Sequence, residues 1–350
     1  MPDDNPLPWS DRQWDELRAV ALEAARKSRV ASTFLPLVGP FPADQATVPS
    51  NWLEYVTPTG STDPRLEVRA GRTLQLVTLS CNIYLRGSEI ADPDLDAAKT
   101  MVRRAGEVIG RLEDAVIFHG LTADERRPFG DDYAVEPRIY TISGGRDLTG
   151  LLQCPDTLFH DEARPDDADR KLKIVLTTGA NYTADKAAYL AAEDEVKDLV
   201  MCIGVDSEPT GGQMVDAVVD AIQRLETRGH FGPFAVVLGH KLFSAATTPS
   251  DSFVLPTDRI AEFLDGRRVL RSGVLPRDRG VVVALGGQPI ELVLAGDIDV
   301  RFLQVTLEPR YVLRVFERLV LRIKEIDAVC GITSNDLLLT PGFVPRRAQS

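Results

Sequence analysis

Cysteine is scarce in this sequence, and its four copies lie too far apart to form a CxxC pair. No basic-plus-apolar segment follows Met1, as a secretory signal would require. Both absences favour reduced thiols, so we expect a cytoplasmic protein without disulfide bonds. The cysteines are Cys81, Cys154, Cys202 and Cys330.

Positively charged residues are also relatively few. The sequence has 40 Lys and Arg residues and 52 Asp and Glu residues, which gives a formal net charge of −12. A surface for nucleic acid or for an anionic membrane needs clustered Lys and Arg. No apolar run reaches membrane-spanning length. We therefore expect no membrane association and consider a nucleic-acid partner unfavourable.

The short motifs that usually mark catalysis or nucleotide binding are absent. There is no HExxH zinc motif, no phosphate-binding P-loop, no GxGxxG dinucleotide turn and no GxSxG serine elbow. We expect no catalytic residue, no metal site and no cofactor. Asp297 and Asp299 have the spacing of one strand face, and we expect them to be solvated or paired with arginine.

A long amphipathic helix is the most strongly patterned feature, and we predict it over residues 93–118. Asp92 is suited to cap it and Pro93 to occupy its first position. Gly106 and Gly110 each cost roughly 1 kcal/mol relative to alanine inside a helix, so we expect another segment to approach closely there. The apolar stripe that must be buried consists of Leu95, Ala98, Val102, Ala105, Ile109, Leu112 and Val116.

Before this helix, the sequence predicts a shorter amphipathic helix and a long hairpin. The first covers residues 10–27 and begins with a capping pair of Ser10 and Gln13. The hairpin joins "WLEYV" to "RLEVRAGRTLQLVTL" through the turn-rich tip "TPTGSTDP". Two strands without a third element are marginal in water, so the hairpin needs a partner.

Mixed helices and strands follow the long helix. Residues 121–206 are rich in charge clusters and predict little beyond one strand, "LKIVLTT", and one helix, "DKAAYLAAEDEV". "GGQMVDAVVDAIQRLETRG" predicts a helix, and "GVVVALG", "IELVLAGDIDVRFLQV" and "YVLRVFERLVLRI" predict strands. The fold class is therefore α+β, ending in long antiparallel strands.

Several of these segments together resemble the shell proteins of the encapsulin family, also called linocin-type bacteriocins. The resemblance lies in "FLPLVGP", "DPDLDAA", "EDAVIFHG", "DAVVDAIQRLETRGHFGPFAVVLG", "PTDRIAEFL" and "IELVLAGDIDVRF", which occur in the family's order. It implies the Hong Kong 97 phage major capsid-like fold, with a peripheral domain on a spine helix, an E-loop hairpin and an axial domain.

The resemblance also implies a domain plan and a function. The expected plan places an N-terminal arm and the start of the peripheral domain at 1–51, the E-loop at 52–72, the peripheral domain with an insertion at 73–206, the axial domain at 207–300, return strands at 301–333 and a tail at 334–350. The expected function is an icosahedral nanocompartment, formed by many copies of this chain, around cargo enzymes of oxidative-stress or iron-related chemistry.

Cargo in this family docks through a short targeting peptide, and the N-terminal helix beside the apolar loop suggests a groove for it. The residues that would line the groove are Trp14, Leu17, Phe34, Leu35, Leu37 and Val38. Packing of these residues on their own subunit is an equally open alternative. The family's Arg and Asp near this groove are replaced here by Ser32 and Pro36, so the docking peptide is expected to differ.

By the same resemblance, the loop "TTPSDSF" would line a pore at the fivefold axis. Its small polar residues and one carboxylate would favour cations. The pore residues would be Thr248, Pro249, Ser250, Asp251 and Ser252. An exposed surface turn without a transport role is an equally open alternative. Members that hold flavin have an aromatic residue just before the spine helix, and "RGSEIAD" has none, so no flavin is expected.

Two other functions remain open at this point. A phage or prophage major capsid protein would share the fold and package DNA, which the acidic balance mildly opposes. An enzyme or ligand-binding α+β domain with an unrecognised site is the other.

Overall fold

The structure is a computed structural model that describes residues 7–42, 45–56, 65–129, 133–154, 175–177, 202–249 and 254–334. The chain divides into two compact units. The first contains Met1–Gly150 and Ile290–Lys324, and the second contains Leu151–Pro289 and Glu325–Ser350. Among the described residues, no helix has the length and apolar character needed to cross a membrane.

The described part of the chain contains both helices and runs of strands, in agreement with the predicted α+β class. The helices are α1 Asp11–Ser28, α2 Gly87–Ile90, α3 Asp96–His119, α4 Gly211–Thr227, α5 His240–Thr247 and α6 Pro256–Phe263. The strands are β1 Leu37–Val38, β2 Thr47–Val56, β3 Arg65–Gln75, β4 Val77–Arg86, β5 Tyr140–Ser143, β6 Val175–Thr177, β7 Cys202–Gly204, β8 Phe234–Leu238, β9 Leu270–Arg271, β10 Arg279–Ala284, β11 Ile290–Val305, β12 Arg310–Ile323 and β13 Val329–Thr333.

The long helix α3 is confirmed, with a later start than the sequence predicted. Leu95 precedes it with a left-handed backbone, φ 55°, so Pro93 lies before the helix rather than inside it. Asp92 still caps the start, because its carboxylate accepts the N–H of Asp94 at 3.2 Å and of Asp96 at 3.0 Å. All seven residues of the predicted apolar stripe are buried.

The first unit is built around a five-stranded sheet in the order β1-β11-β12-β4-β5. The two longest strands, β11 and β12, pair antiparallel along almost their full length, from Ile290 opposite Ile323 to Val305 opposite Tyr311. Helix α3 packs on β4 and β12, and α1 packs on α3 and β11. The unit's core therefore lies between the helices and one face of this sheet.

The hairpin forms a separate two-stranded sheet of β2 and β3. Its pairing runs from Thr47 opposite Gln75 to Val56 opposite Arg65, so it is longer than the predicted 52–72. The chain breaks the extended run at Leu76, and β4 then joins the main sheet instead of continuing the hairpin. We call this two-stranded sheet the arm.

The second unit contains a six-stranded sheet in the order β6-β7-β13-β10-β8-β9, with α4 packed on β7, β10 and β13. The structure divides the chain elsewhere than the predicted axial domain at 207–300. Residues 290–300 belong to the first unit because β11 pairs with β12, whereas β13, predicted among the peripheral return strands, pairs with β10 and β7. The predicted helix "DKAAYLAAEDEV" and the tail 335–350 lie outside the described residues.

Candidate functional site

Helix α1 crosses α3 at the two glycines that the sequence singled out. A Cβ atom on Gly106 would lie 2.5 Å from the carbonyl oxygen of Ala21, and one on Gly110 would lie 2.8 Å from that of Ala25. Real side chains do not tolerate such distances, so any larger residue would push α1 away. The expected close approach is confirmed, and it fixes how near the N-terminal helix lies to α3.

Four of the six predicted cargo-binding residues are buried in their own chain. Trp14, Leu17, Phe34 and Leu35 are each at most 7% exposed. Val38 is partly buried and packs on a cluster of β-strand residues, whereas Leu37 is 52% exposed. Strand β1 holds these last two residues beside β11, with Leu37 opposite Leu292 and Val38 opposite Val293. Of the six side chains, Leu37 therefore offers the most surface to a partner.

Arg29, the residue directly after α1, forms ion pairs with two buried carboxylates. Arg29 Nη1 lies 3.1 Å from Glu113 Oε2 and 3.3 Å from Glu317 Oε1, and both carboxylate side chains are 0% exposed. Asp297, which is half exposed, lies 3.8 Å from the same nitrogen. The second oxygens, Glu113 Oε1 and Glu317 Oε2, are buried and form no hydrogen bond with the described residues. We call Arg29, Glu113 and Glu317 the acid cluster.

Asp114, next to Glu113 on α3, holds the chain just after α1. Its Oδ1 accepts the backbone N–H of Val30 at 2.9 Å and of Ala31 at 2.8 Å. Burial raises the pKa of Asp114 to about 8, although these two N–H donors act in the opposite direction. The carboxyl group therefore determines where the segment that follows α1 is held.

The acid cluster retains a proton more readily than ordinary carboxylates do. Burial, followed by repulsion from Glu113, raises the pKa of Glu317 well above its usual value. Burial also raises the pKa of Glu113, and Arg29 opposes that rise. Because one cation faces two buried carboxylates, the protonated form of one of them is favoured.

Sequence reasoning missed this cluster, although one signal was available. Glu113 and Asp114 interrupt the apolar end of α3, "RLEDAVIF", where charged residues are unexpected unless they have partners.

The two acidic residues on β11, Asp297 and Asp299, are paired with arginine, as the sequence predicted. Asp299 Oδ1 lies 3.0 Å from Arg18 Nε, and Asp299 Oδ2 lies 2.8 Å from Arg301 Nε. Asp297 Oδ1 lies 3.8 Å from Arg29 Nη1.

The base of the arm is held by two arginines on β12. Arg318 Nη2 donates to the carbonyl oxygen of Gln45 at 2.7 Å, and Arg322 Nη1 donates to that of Pro49 at 3.2 Å. Arg322 also pairs with the buried carboxylate of Glu291. Beyond this base, the arm forms ladder hydrogen bonds with no third strand among the described residues.

The predicted pore loop joins α5 to α6 in the second unit. Thr248 and Pro249 at its start are exposed, and Thr248 Oγ1 donates to the carbonyl oxygen of Ser244 at 2.8 Å. The other three predicted pore residues, Ser250, Asp251 and Ser252, lie outside the described residues.

Comparison with known proteins identifies relatives of this chain. A family described as "Encapsulating protein for peroxidase" matches residues 3–126 and 202–320. The type 1 encapsulin shell protein EncA of Myxococcus xanthus is 24% identical over 347 residues, which cover 95% of this chain and 97% of that protein. The stretch between the two matched parts, 127–201, falls within the charge-rich region 121–206.

Two solved structures share the fold at low sequence identity. A virus-like particle from Pyrococcus furiosus is 13% identical with a TM-score of 0.55, covering 91% of this chain and 99% of that one. The capsid of Myoviridae phage XM1 is 11% identical with a TM-score of 0.50, covering 86% and 90%. These likenesses confirm the α+β fold of phage major capsid proteins. Together with the family match, they show that this chain belongs to the encapsulin family.

Proposed function

We propose that this chain assembles with many copies of itself into a closed icosahedral shell that encloses cargo enzymes. Family membership and the capsid-like fold support the proposal. The observation that carries it is the arm, whose two strands pair with no third strand among the described residues. Two-stranded sheets are marginally stable alone, and open edges invite pairing with another chain.

Symmetric assembly would give the arm its missing partner. In a closed shell each interface is repeated many times, so contacts of modest strength add up to a stable particle. The arginines at the base of the arm support this role, because they attach that base to β12 at Gln45 and Pro49, so a neighbour would need to bind only the distal part.

Size-exclusion chromatography and negative-stain electron microscopy of the purified protein test assembly directly. We expect hollow particles of uniform size, and a stable monomer or dimer at micromolar concentration would refute the proposal. A variant that lacks residues 57–64 and the adjoining strand ends should fold but assemble poorly. A Gly/Ser replacement of equal length at 57–64 is the control, since it keeps the strands.

We further propose that cargo docks on the inner surface around Leu37 through a short extended peptide. Leu37 is apolar and exposed, and it lies in β1, the edge strand of the five-stranded sheet. Leu37→Asp should give intact shells with little co-purified cargo. Leu307→Asp, which changes a leucine that is more exposed than Leu37, should keep its cargo. Equal loading of the two variants would contradict this docking surface.

A pore at the loop between α5 and α6 remains our proposal for how small molecules cross the shell. Copies of Asp251 around an axis would concentrate negative potential and favour cations. In shells loaded with an enzyme, Asp251→Lys should change the apparent KM in opposite directions for cationic and anionic substrates. Unchanged kinetics for both would exclude this loop as the selective pore.

The presence or absence of DNA inside the particle distinguishes a phage capsid from a shell that encloses cargo enzymes. We propose that purified shells carry no nucleic acid, because the net charge of −12 opposes it. Ultraviolet absorbance of particles after nuclease treatment measures this, and protected DNA would favour the capsid alternative. Cytoplasmic location and a cargo of oxidative-stress or iron-related chemistry stay predictions.

A further inference from the structure

Three side chains with metal-binding groups lie close together in the second unit. His230 lies between α4 and β8, and Glu325 and Asp327 lie at the short 3₁₀ turn before β13. One ligand atom from each residue lies within 4.8 Å of the other two. In the part of the chain that the structure describes, no other group of three His, Cys, Asp or Glu side chains meets this condition.

The backbone after α4 holds His230 in place. Gly229 has a φ of +87°, which favours glycine, and its N–H donates to the carbonyl oxygen of Glu226 at 2.9 Å. The N–H of His230 donates to the carbonyl oxygen of Leu225, also at 2.9 Å. This helix-ending turn reverses the chain and leaves the imidazole side chain only 7% exposed.

Each nitrogen of the imidazole faces a carboxylate. His230 Nε2 is buried and lies 2.9 Å from Asp327 Oδ1, but the two groups are poorly aligned for a hydrogen bond. On the other side of the ring, Nδ1 lies 3.7 Å from Glu325 Oε2. A poorly aligned hydrogen bond is weak. A bound cation would give this nitrogen a stronger partner and would also neutralise the two carboxylates.

The chemistry of the three ligands indicates which ions would fit. Imidazole nitrogen and carboxylate oxygen bind Zn²⁺ at about 2.0–2.2 Å, so ligand atoms around one ion are at most ~4.4 Å apart. The observed 4.8 Å limit requires only a small rotation of a side chain. Glu325 and Asp327 are 29% and 28% exposed, which permits such a rotation and leaves a side open to water.

We propose that His230, Glu325 and Asp327 bind a divalent transition-metal ion and thereby fasten the end of α4 to the start of β13. Zn²⁺ is the ion we would use as the probe. Arg228 interacts electrostatically with Asp327 and partly offsets the attraction for a cation. The sequence motifs gave no sign of the site, because His230 is far from the other two residues along the chain and no metal-binding spacing links them.

Isothermal titration calorimetry and elemental analysis of the assembled, EDTA-stripped protein test the site. We expect one Zn²⁺ per chain for the wild type, and an affinity lowered by about tenfold or more for His230→Gln and for Glu325→Gln. His240→Gln, which removes an exposed histidine of the same unit, is the matched control and should bind as the wild type does.

Co²⁺ substitution gives a second measurement that does not depend on affinity alone. A visible absorption band should appear in the wild type and be lost in His230→Gln. Glu325→Gln keeps the contact between His230 and Asp327, so it should keep the particle size measured by light scattering. Absence of stoichiometric Zn²⁺, or equal binding by the wild type and both variants, would overturn the proposal and leave the three residues as an ion pair.

Discussion

Replacing Glu317 by glutamine should make the first unit more stable at alkaline pH and leave its stability at acidic pH unchanged. Glu317 and Glu113 are both fully buried and share the single cation of Arg29. When both carboxylates are ionised, one negative charge in the cluster has no counterion. Glutamine keeps the shape of the side chain, can donate an N–H to Glu113, and never carries a charge.

The direction of the pH effect follows from the raised pKa of Glu317. Burial and repulsion from Glu113 raise the pKa, so the folded protein binds this proton more tightly than the unfolded chain does. Stability from such a group is fully present below the unfolded pKa and is lost as the pH rises through the folded pKa. In the variant this loss no longer occurs.

The size of the effect can be estimated from the ionised carboxylate of Glu317. A buried polar group without a partner costs about 1–3 kcal/mol, and Glu317 is in this position only after it loses its proton, because it shares Arg29 with Glu113. We therefore expect the variant to gain about 1–3 kcal/mol of unfolding free energy at about pH 8 and close to nothing at about pH 5. In a domain of this size each kcal/mol corresponds to roughly 2–4 °C in Tm.

Thermal unfolding followed by tryptophan fluorescence, at matched ionic strength and scan rate, measures the difference between variant and wild type at each pH. Asp297→Asn is the control, because its carboxylate is half exposed and lies 3.8 Å from Arg29. It should show a much smaller gain with pH than Glu317→Gln does, because Asp297 is a minor cause of the raised pKa of Glu317. A Glu317→Gln protein that is less stable than the wild type at alkaline pH would refute the reasoning.

Three further predictions concern the helix contact, the arm and the second unit. Gly106→Ala should lower Tm, since overpacking costs about 1–3 kcal/mol and exceeds the helix-propensity gain, whereas Gly87→Ala meets no atom within 4 Å and should not. Arg322→Lys should keep the charge but lose the contact with the carbonyl of Pro49, so limited proteolysis should cut the arm faster; unchanged cleavage would contradict this. Thr210→Ala should destabilise α4 by ~1 kcal/mol in denaturant unfolding, because Thr210 Oγ1 caps that helix; an unchanged midpoint would exclude the cap.

Features that depend on neighbouring residues were predictable from the sequence. The stripe on α3 repeats every three or four positions, and all of its members are buried. Gly106 and Gly110 predicted a close contact, because a glycine inside a helix is unfavourable unless something needs the space. Both signals arise from local geometry, which a single sequence records.

Features that depend on distant pairs were not predictable. Arg29 meets Glu113 and Glu317 across separations of 84 and 288 residues. The division into two units depends on which strands pair. The sequence of β11 predicts a strand but does not indicate which unit contains it. Four of the predicted cargo residues are apolar enough to bind a peptide, yet the same property buries them in their own chain.

Close packing alone does not determine where α1 sits along α3. Small residues allow the helices to approach, but an apolar contact can slide by a turn at little cost, and buried polar groups can select one arrangement. Asp114 supplies such a selection, because its carboxylate accepts the N–H groups of Val30 and Ala31 directly after α1. Asp114→Ala should therefore speed hydrogen exchange at those two amides, whereas Glu317→Gln should leave it unchanged. If the two amides exchange as slowly in Asp114→Ala as in the wild type, the apolar contact and the glycines position α1 without help from Asp114.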